Sequence, residues 1–150
     1  MKVLVFHIGA ERYGLRLAGV HQVLPAAALK ELPLTPPYVA GLLDLHGTPV
    51  PVIDLTQLAG MAPSALRFDT RIVVADYVAA DGSLRLLGLL AERVQGVQAV
   101  EPDLFSDGGV RGAPFLGRVA ADGGSMLQLV EIEHLLPADA RALLFPEAYA

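Results

Sequence analysis

The chain contains no cysteine. That absence removes disulfides, thiolate metal sites and thiol nucleophiles, and it suits a reducing compartment. Charge is sparse as well. Only 18% of the residues are charged, and acidic groups prevail to give a formal net charge of −5. The eleven lysines and arginines are scattered singly, so no basic face is offered to nucleic acid or to an anionic membrane. No apolar run approaches the roughly 18 residues that a bilayer-spanning helix requires. The opening Met1-Lys2-Val3-Leu4-Val5-Phe6 imitates a secretory leader, but His7 and Gly9 interrupt it and no small-residue cleavage site follows. These features predict a cytoplasmic protein without membrane insertion.

What is present in quantity is apolar. Hydrophobic residues make up 53% of the 150, which excludes disorder. A chain of this length buries roughly 68–70% of its unfolded surface, so one domain needs no staple. Short apolar runs bounded by glycine, proline and aspartate form a β signature. Strands are expected at residues 3–8, 13–17, 19–24, 42–45, 48–55, 71–78, 84–90, 115–120 and 125–132. His46-Gly47, Asp81-Gly82 and Asp122-Gly123-Gly124 are the hairpin turns between them. Pro49 and Pro51 lack N–H groups toward the same neighbour, which predicts an edge or an irregular pairing there. Gly88 inside a strand predicts a bulge or a tight bend. Helix is confined to one turn near 56–60 and a terminal helix over 137–145 with proline at its first position.

The chain also repeats itself. Gly14, Leu15, Val20 and Val23 match Gly88, Leu89, Val94 and Val97 at an offset of 74. Val52-Ile53-Asp54-Leu55 matches Leu129-Val130-Glu131-Ile132 at an offset of 77. The order and near-constancy of these matches argue for two related halves of about five strands, each able to close a small barrel. The break falls at 61–69, and there the chain is expected to cross from one barrel to the other.

No catalytic constellation emerges. His7, His21, His46 and His134 lack metal-ligand spacing. His7 reads as a satisfied strand residue, and His134 as a solvated one ahead of the terminal helix. No serine sits in a nucleophile elbow, and no glycine-rich loop fits a phosphate. The Gly-Gly pairs at 108–109 and 123–124 read as turns. Asp44 and Asp54 flank a hairpin and could approach each other, but an acidic pair alone is more often solvated than catalytic. The expectation is a non-enzyme with no cofactor and no metal. Its apolar surplus is either core or a surface for partners.

Phe6-His7-Ile8-Gly9, Glu11-Arg12-Tyr13-Gly14-Leu15 and Val20, Val23, Leu24 resemble the opening of a CheW domain. The segment from Pro37 through Gly47 (PYVAGLLDLHG), and Pro49-Val50-Pro51-Val52-Ile53-Asp54-Leu55 after it, are similar to that family's centre. Leu87–Val94 and Leu127–Leu136 complete the register. The ordered set covers about residues 3–137.

This resemblance implies an all-β fold with short helices: two five-stranded SH3-like β-barrel subdomains around a shared hydrophobic core. Subdomain one is expected at about 1–65 and subdomain two at about 66–140. The implied function is scaffolding, in a chain monomeric in isolation. One barrel would dock on the regulatory domain of a CheA-type histidine kinase. The groove between barrels would take the cytoplasmic helical tip of a methyl-accepting chemoreceptor. Family interaction positions fall on Val20, Gln22, Gly41, His46 and Val97. Val20 and Val97 read equally well as core, and Gly41 as a backbone requirement. Where this chain has His46 the family usually has arginine, and where it has Gln22 an acidic residue. Those departures suit a divergent pathway, with second-messenger or surface-attachment output, in which the fold binds the kinase or another regulator. A weaker alternative is an unrelated double barrel that holds a small apolar ligand between its halves.

Overall fold

The computed structural model describes residues 1–107, 112–122 and 124–146. The first apolar run forms β1 (Lys2–Ile8), which turns at Gly9 into β2 (Glu11–Arg16). Alternate residues of β1 point to opposite faces, yet Val3, Leu4, Val5, Phe6 and Ile8 are all buried. Both faces of this strand are therefore covered, which is why its sequence does not alternate. A 3-10 turn at Leu17–Gly19 leads to β3 (Val20–Pro25). The hairpin of β4 (Val39–Leu45) and β5 (Thr48–Asp54) follows, then one helical turn, α1 (Leu55–Leu58). After a loop come β6 (Arg71–Val78) and β7 (Leu84–Ala99), a strand of 16 residues. The chain ends through β8 (Phe105–Ser106), β9 (Leu116–Asp122), β10 (Ser125–Val130) and α2 (Ala138–Leu144). Pro137 caps α2 from outside rather than opening it. Gly123 and the pair at 108–109 lie outside the described residues.

Two barrels account for these strands. In the terminal barrel, β7, β1, β2, β10, β9 and β8 pair in that order. In the central barrel the order is β3, β6, β7, β5, β4, and Lys30 exchanges backbone hydrogen bonds of 2.9 and 2.8 Å with Leu42 to close it. The long β7 belongs to both: its first half pairs with β5 and β6, its second with β1. Val3, Val5, Val100, Phe105, Ala120, Leu127 and Leu129 fill the terminal barrel. Leu43, Val50, Val52, Ile72, Val74 and Leu90 fill the central one. A larger core lies between them, built from Leu4, Phe6 and Leu15 on one side and Val73, Ala75, Tyr77, Leu87 and Leu89 on the other. The expected all-β architecture of two SH3-like barrels around a shared core is therefore present.

The division into sequential subdomains is corrected. The terminal barrel takes β1 and β2 from the first half and late β7, β8, β9 and β10 from the second. The central barrel takes β3, β4 and β5 from the first half and β6 with early β7 from the second. The chain crosses between barrels at 17–19 and again near Glu92, where the β1–β7 register shifts; residues 61–70 only join α1 to β6 within the central barrel. The internal repeat nevertheless has a structural counterpart. Leu129 pairs in parallel with Gly14, as Val52 does with Gly88, so matched sequences occupy matched places in opposite barrels.

Two local expectations also change. The register of β6 with β7 runs without a shift past Gly88, so there is no bulge. Instead a Cβ at Gly88 would stand 2.8 Å from Val52 Cγ2: glycine is there because β5 packs against it. Pro51 pairs with Leu42, whose backbone hydrogen bonds go to Lys30. Its ring nitrogen therefore faces β7, and β7 joins β5 only from Val52 onward, the irregular pairing that the prolines predict.

Candidate partner-binding surface

Of the five candidate positions, four lie in the central barrel and Val97 alone in the terminal one. Val20 faces Ala75 and packs, half-buried, on the shared core. The register then slips by one residue, so that Gln22 pairs with Val74, a residue of the central barrel's own interior. Val20 and Gln22 thus share a strand but not a face. Gly41 is buried at φ +146°, and a Cβ there would lie 2.5 Å from the Lys30 carbonyl oxygen. Its requirement is the backbone contact that closes the barrel. His46 and Gly47, at φ 51° and 88°, form the tip of the β4–β5 hairpin. Asp44 accepts the Gly47 N–H at 2.7 Å and fixes the turn, which leaves the imidazole exposed.

Val97 is 54% exposed opposite Leu4, and Val23 is 40% exposed opposite Val73. Leu4 and Val73 both belong to the shared core, so the two valines flank it from different barrels. Val23 was not among the candidate positions. The signal that could have found it was its match to Val97 in the repeat.

Several other titratable groups serve the fold. His7 Nδ1 donates to the Arg93 carbonyl at 3.2 Å, where β7 passes between barrels. Asp44 and Asp54 sit at opposite ends of the β4–β5 hairpin and do not approach each other. Asp54 is buried and caps α1, accepting the N–H of Thr56 at 3.1 Å and both the N–H and hydroxyl of Ser64 at 2.9 and 2.6 Å. Glu131, its counterpart in the repeat, pairs with Arg16. A cleft of about 690 Å³ opens beside that pair, lined by Arg118, Glu133 and His134 among others. His134 is exposed beside Glu133, as expected for a solvated residue. Burial raises the phenols of Tyr13, Tyr38 and Tyr77 above their ordinary value. Among the described residues no three acidic or histidine side chains gather to hold a metal, and no helix is long and apolar enough to cross a membrane.

Comparison with known proteins agrees with this architecture. The pattern of the CheW-like domain matches residues 2–140. The chain is 26% identical to "Chemotaxis protein CheW" of Klebsiella aerogenes, over 94% of this chain and 84% of that protein. It is 30% identical to "Protein FrzA" of Myxococcus xanthus, over 87% of this chain and 82% of that one. The crystal structure of the scaffolding protein TtCheW from Thermoanaerobacter tengcongensis superposes with a TM-score of 0.82 at 25% identity, covering 93% and 94% of the two chains. A domain pattern spanning nearly the whole chain, together with the shared double barrel, places it: the chain belongs to the CheW-like domain family.

Proposed function

We propose that this chain is a non-catalytic adaptor that couples a methyl-accepting chemoreceptor to a CheA-type histidine kinase in the cytoplasm. The observation that carries the reading is the family match over residues 2–140. Supporting it, Asp44, Asp54 and Glu131 are engaged in a turn, a cap and an ion pair rather than converging on a reactive centre. Val23 and Val97 expose apolar surface on either side of the shared core, where a helical receptor tip lying along the junction would touch both barrels. Gln22 and Gly41 contribute through the shape of the central barrel, and His46 as an exposed tip.

The test is kinase autophosphorylation with receptor alone, with this protein alone and with both. An adaptor changes activity only in the third case; equality of all three rejects it. A receptor-fragment titration against Val97→Glu and Val23→Glu locates the contact, and each should weaken binding about tenfold or more.

A second reading is favoured by one observation, the neutral Gln22 and the turn-bound His46 at positions where the resemblance expects charge. In it the fold binds the kinase or another regulator of a divergent pathway without standard receptor coupling. The receptor titration separates the two when repeated on His46→Arg and His46→Ala. If His46 meets a receptor carboxylate, His46→Arg binds at least as well as the native chain and His46→Ala binds more weakly. Superimposable curves leave His46 as a turn residue.

A further inference from the structure

We propose that residues 64–69 form a preset recognition loop whose partner is an acidic protein surface bearing an apolar notch. Between α1 and β6 the chain leaves Leu66 74% and Phe68 91% exposed. Two large apolar side chains held in water on one loop are an unfavourable surface that association would relieve. The loop itself is not slack. Ser64 is bonded twice to the buried Asp54, and the Ala65 N–H donates to the Glu92 carboxylate at 2.5 Å. The Thr70 hydroxyl donates to the Ala65 carbonyl at 2.6 Å and accepts the Arg67 N–H at 3.1 Å. The Val94 N–H donates to the Asp69 carbonyl at 3.0 Å, and the Arg71 guanidinium donates to the Phe68 carbonyl. A backbone tied at this many points has little ordering entropy left to lose on binding.

Charge selects the occupant. The molecule as a whole carries −5, yet Arg67 lies between the two apolar residues. Arg93 lies between Glu92 and Val94, the two residues of β7 that hold the loop. Both arginines are exposed, and among the described residues neither is in an ion pair. An aromatic residue and arginine at the centre of a rigid, apolar contact are the residue types that dominate binding energy. Asp69 in the loop and Glu92 beside Arg93 offset these two charges, so the region is neutral on a molecule of −5: an acidic surface is repelled by most of this molecule but not here, where guanidinium forks can take its carboxylates. Two free cations are far too few to hold a nucleic acid or a lipid surface. The competing occupant is a second copy, whose own Glu101, Asp103 and Leu104 are exposed together.

The probe is a fluorescein-labelled helical peptide of about 20 residues, with leucines along one face bordered by glutamates, titrated into the full-length chain at low salt. A second peptide replaces every glutamate with lysine. Because the Leu66, Arg67 and Phe68 side chains are exposed and the loop is held through its backbone, Ser64 and Thr70, variants there should keep the native melting temperature. The proposal expects saturable binding of the acidic peptide that falls about tenfold or more in Leu66→Ala/Phe68→Ala and in Arg67→Glu. It also expects the lysine peptide to bind Arg67→Glu better than the native chain. Absence of binding to the acidic peptide, or binding that these variants leave unchanged, overturns it. So does self-association of the native chain in light scattering that Phe68→Ser abolishes, since that would assign the loop to a second copy.

Discussion

Single residues in this fold are constrained by backbone approach more than by chemistry. Gly88 meets Val52 closely enough that any side chain must displace β5, whereas Gly19 has only Ile132 Cδ1 at 3.5 Å. Gly88→Ala is expected to cost about 1–3 kcal/mol and Gly19→Ala less than about 1 kcal/mol, measured by urea unfolding. His46 shows the same logic in a turn. Its left-handed backbone suits asparagine and resists branched side chains, so His46→Asn should be nearly neutral and His46→Val should cost about 1–2 kcal/mol. Loss of binding on substitution of Gly41 would report barrel closure rather than a contact, and its unfolding curve would show it.

At the scale of elements, two short helices matter beyond their length. Asp54 both caps α1 and anchors the following loop. Its replacement by alanine is expected to cost about 2–3 kcal/mol and Ser64→Ala about 1 kcal/mol. The double variant should fall short of their sum because the two share a hydrogen bond. At the other end, α2 is pinned by Phe145, whose ring stacks on Tyr77 at 5.2 Å, while the Arg85 guanidinium lies 5.3 Å from the Phe145 centroid. Phe145→Ala should cost about 3 kcal/mol and raise hydrogen exchange across α2 first. The phenol of Tyr77 is pushed above the ordinary 10.0 by burial, against an opposing effect of Arg141. Folding therefore favours the neutral phenol. Its contribution to stability is intact below about pH 10 and is lost as the pH rises through the raised value, which absorbance at 295 nm followed through unfolding will show.

For the whole molecule, the exchange of strands between halves has a thermodynamic consequence. Neither barrel can form from one half of the chain, and the largest core lies between the barrels. Unfolding should be a single cooperative transition with equal calorimetric and van't Hoff enthalpies. Fragments 1–65 and 66–146 should each lack tertiary structure alone and recover the native circular dichroism spectrum when mixed. Independent folding of either fragment, or two calorimetric peaks, would contradict the interlocked arrangement.

Strand positions were legible in the sequence because hydrophobic pattern and turn chemistry are local: His46-Gly47 and Asp81-Gly82 name their own hairpins, and the apolar run at Val3–Ile8 announces a strand. The repeat was legible too, since equal environments call for equal residues, as at Gly14 and Gly88. Which strands pair was not. Periodicity says that a strand has a buried face but not whose, so halves alike in sequence read as separate barrels when in fact they trade partners across the shared core. The candidate surface followed the same division. The resemblance named Val97, His46 and Gln22 alike, but only the register slip beside Val20 decided that Gln22 turns toward a barrel interior, and only burial distinguished exposed Val23 from its neighbours. Composition and local pattern thus determined the class of fold. Non-local pairing, which gains its energy only once distant strands have met, decided how two like halves became one interlocked molecule.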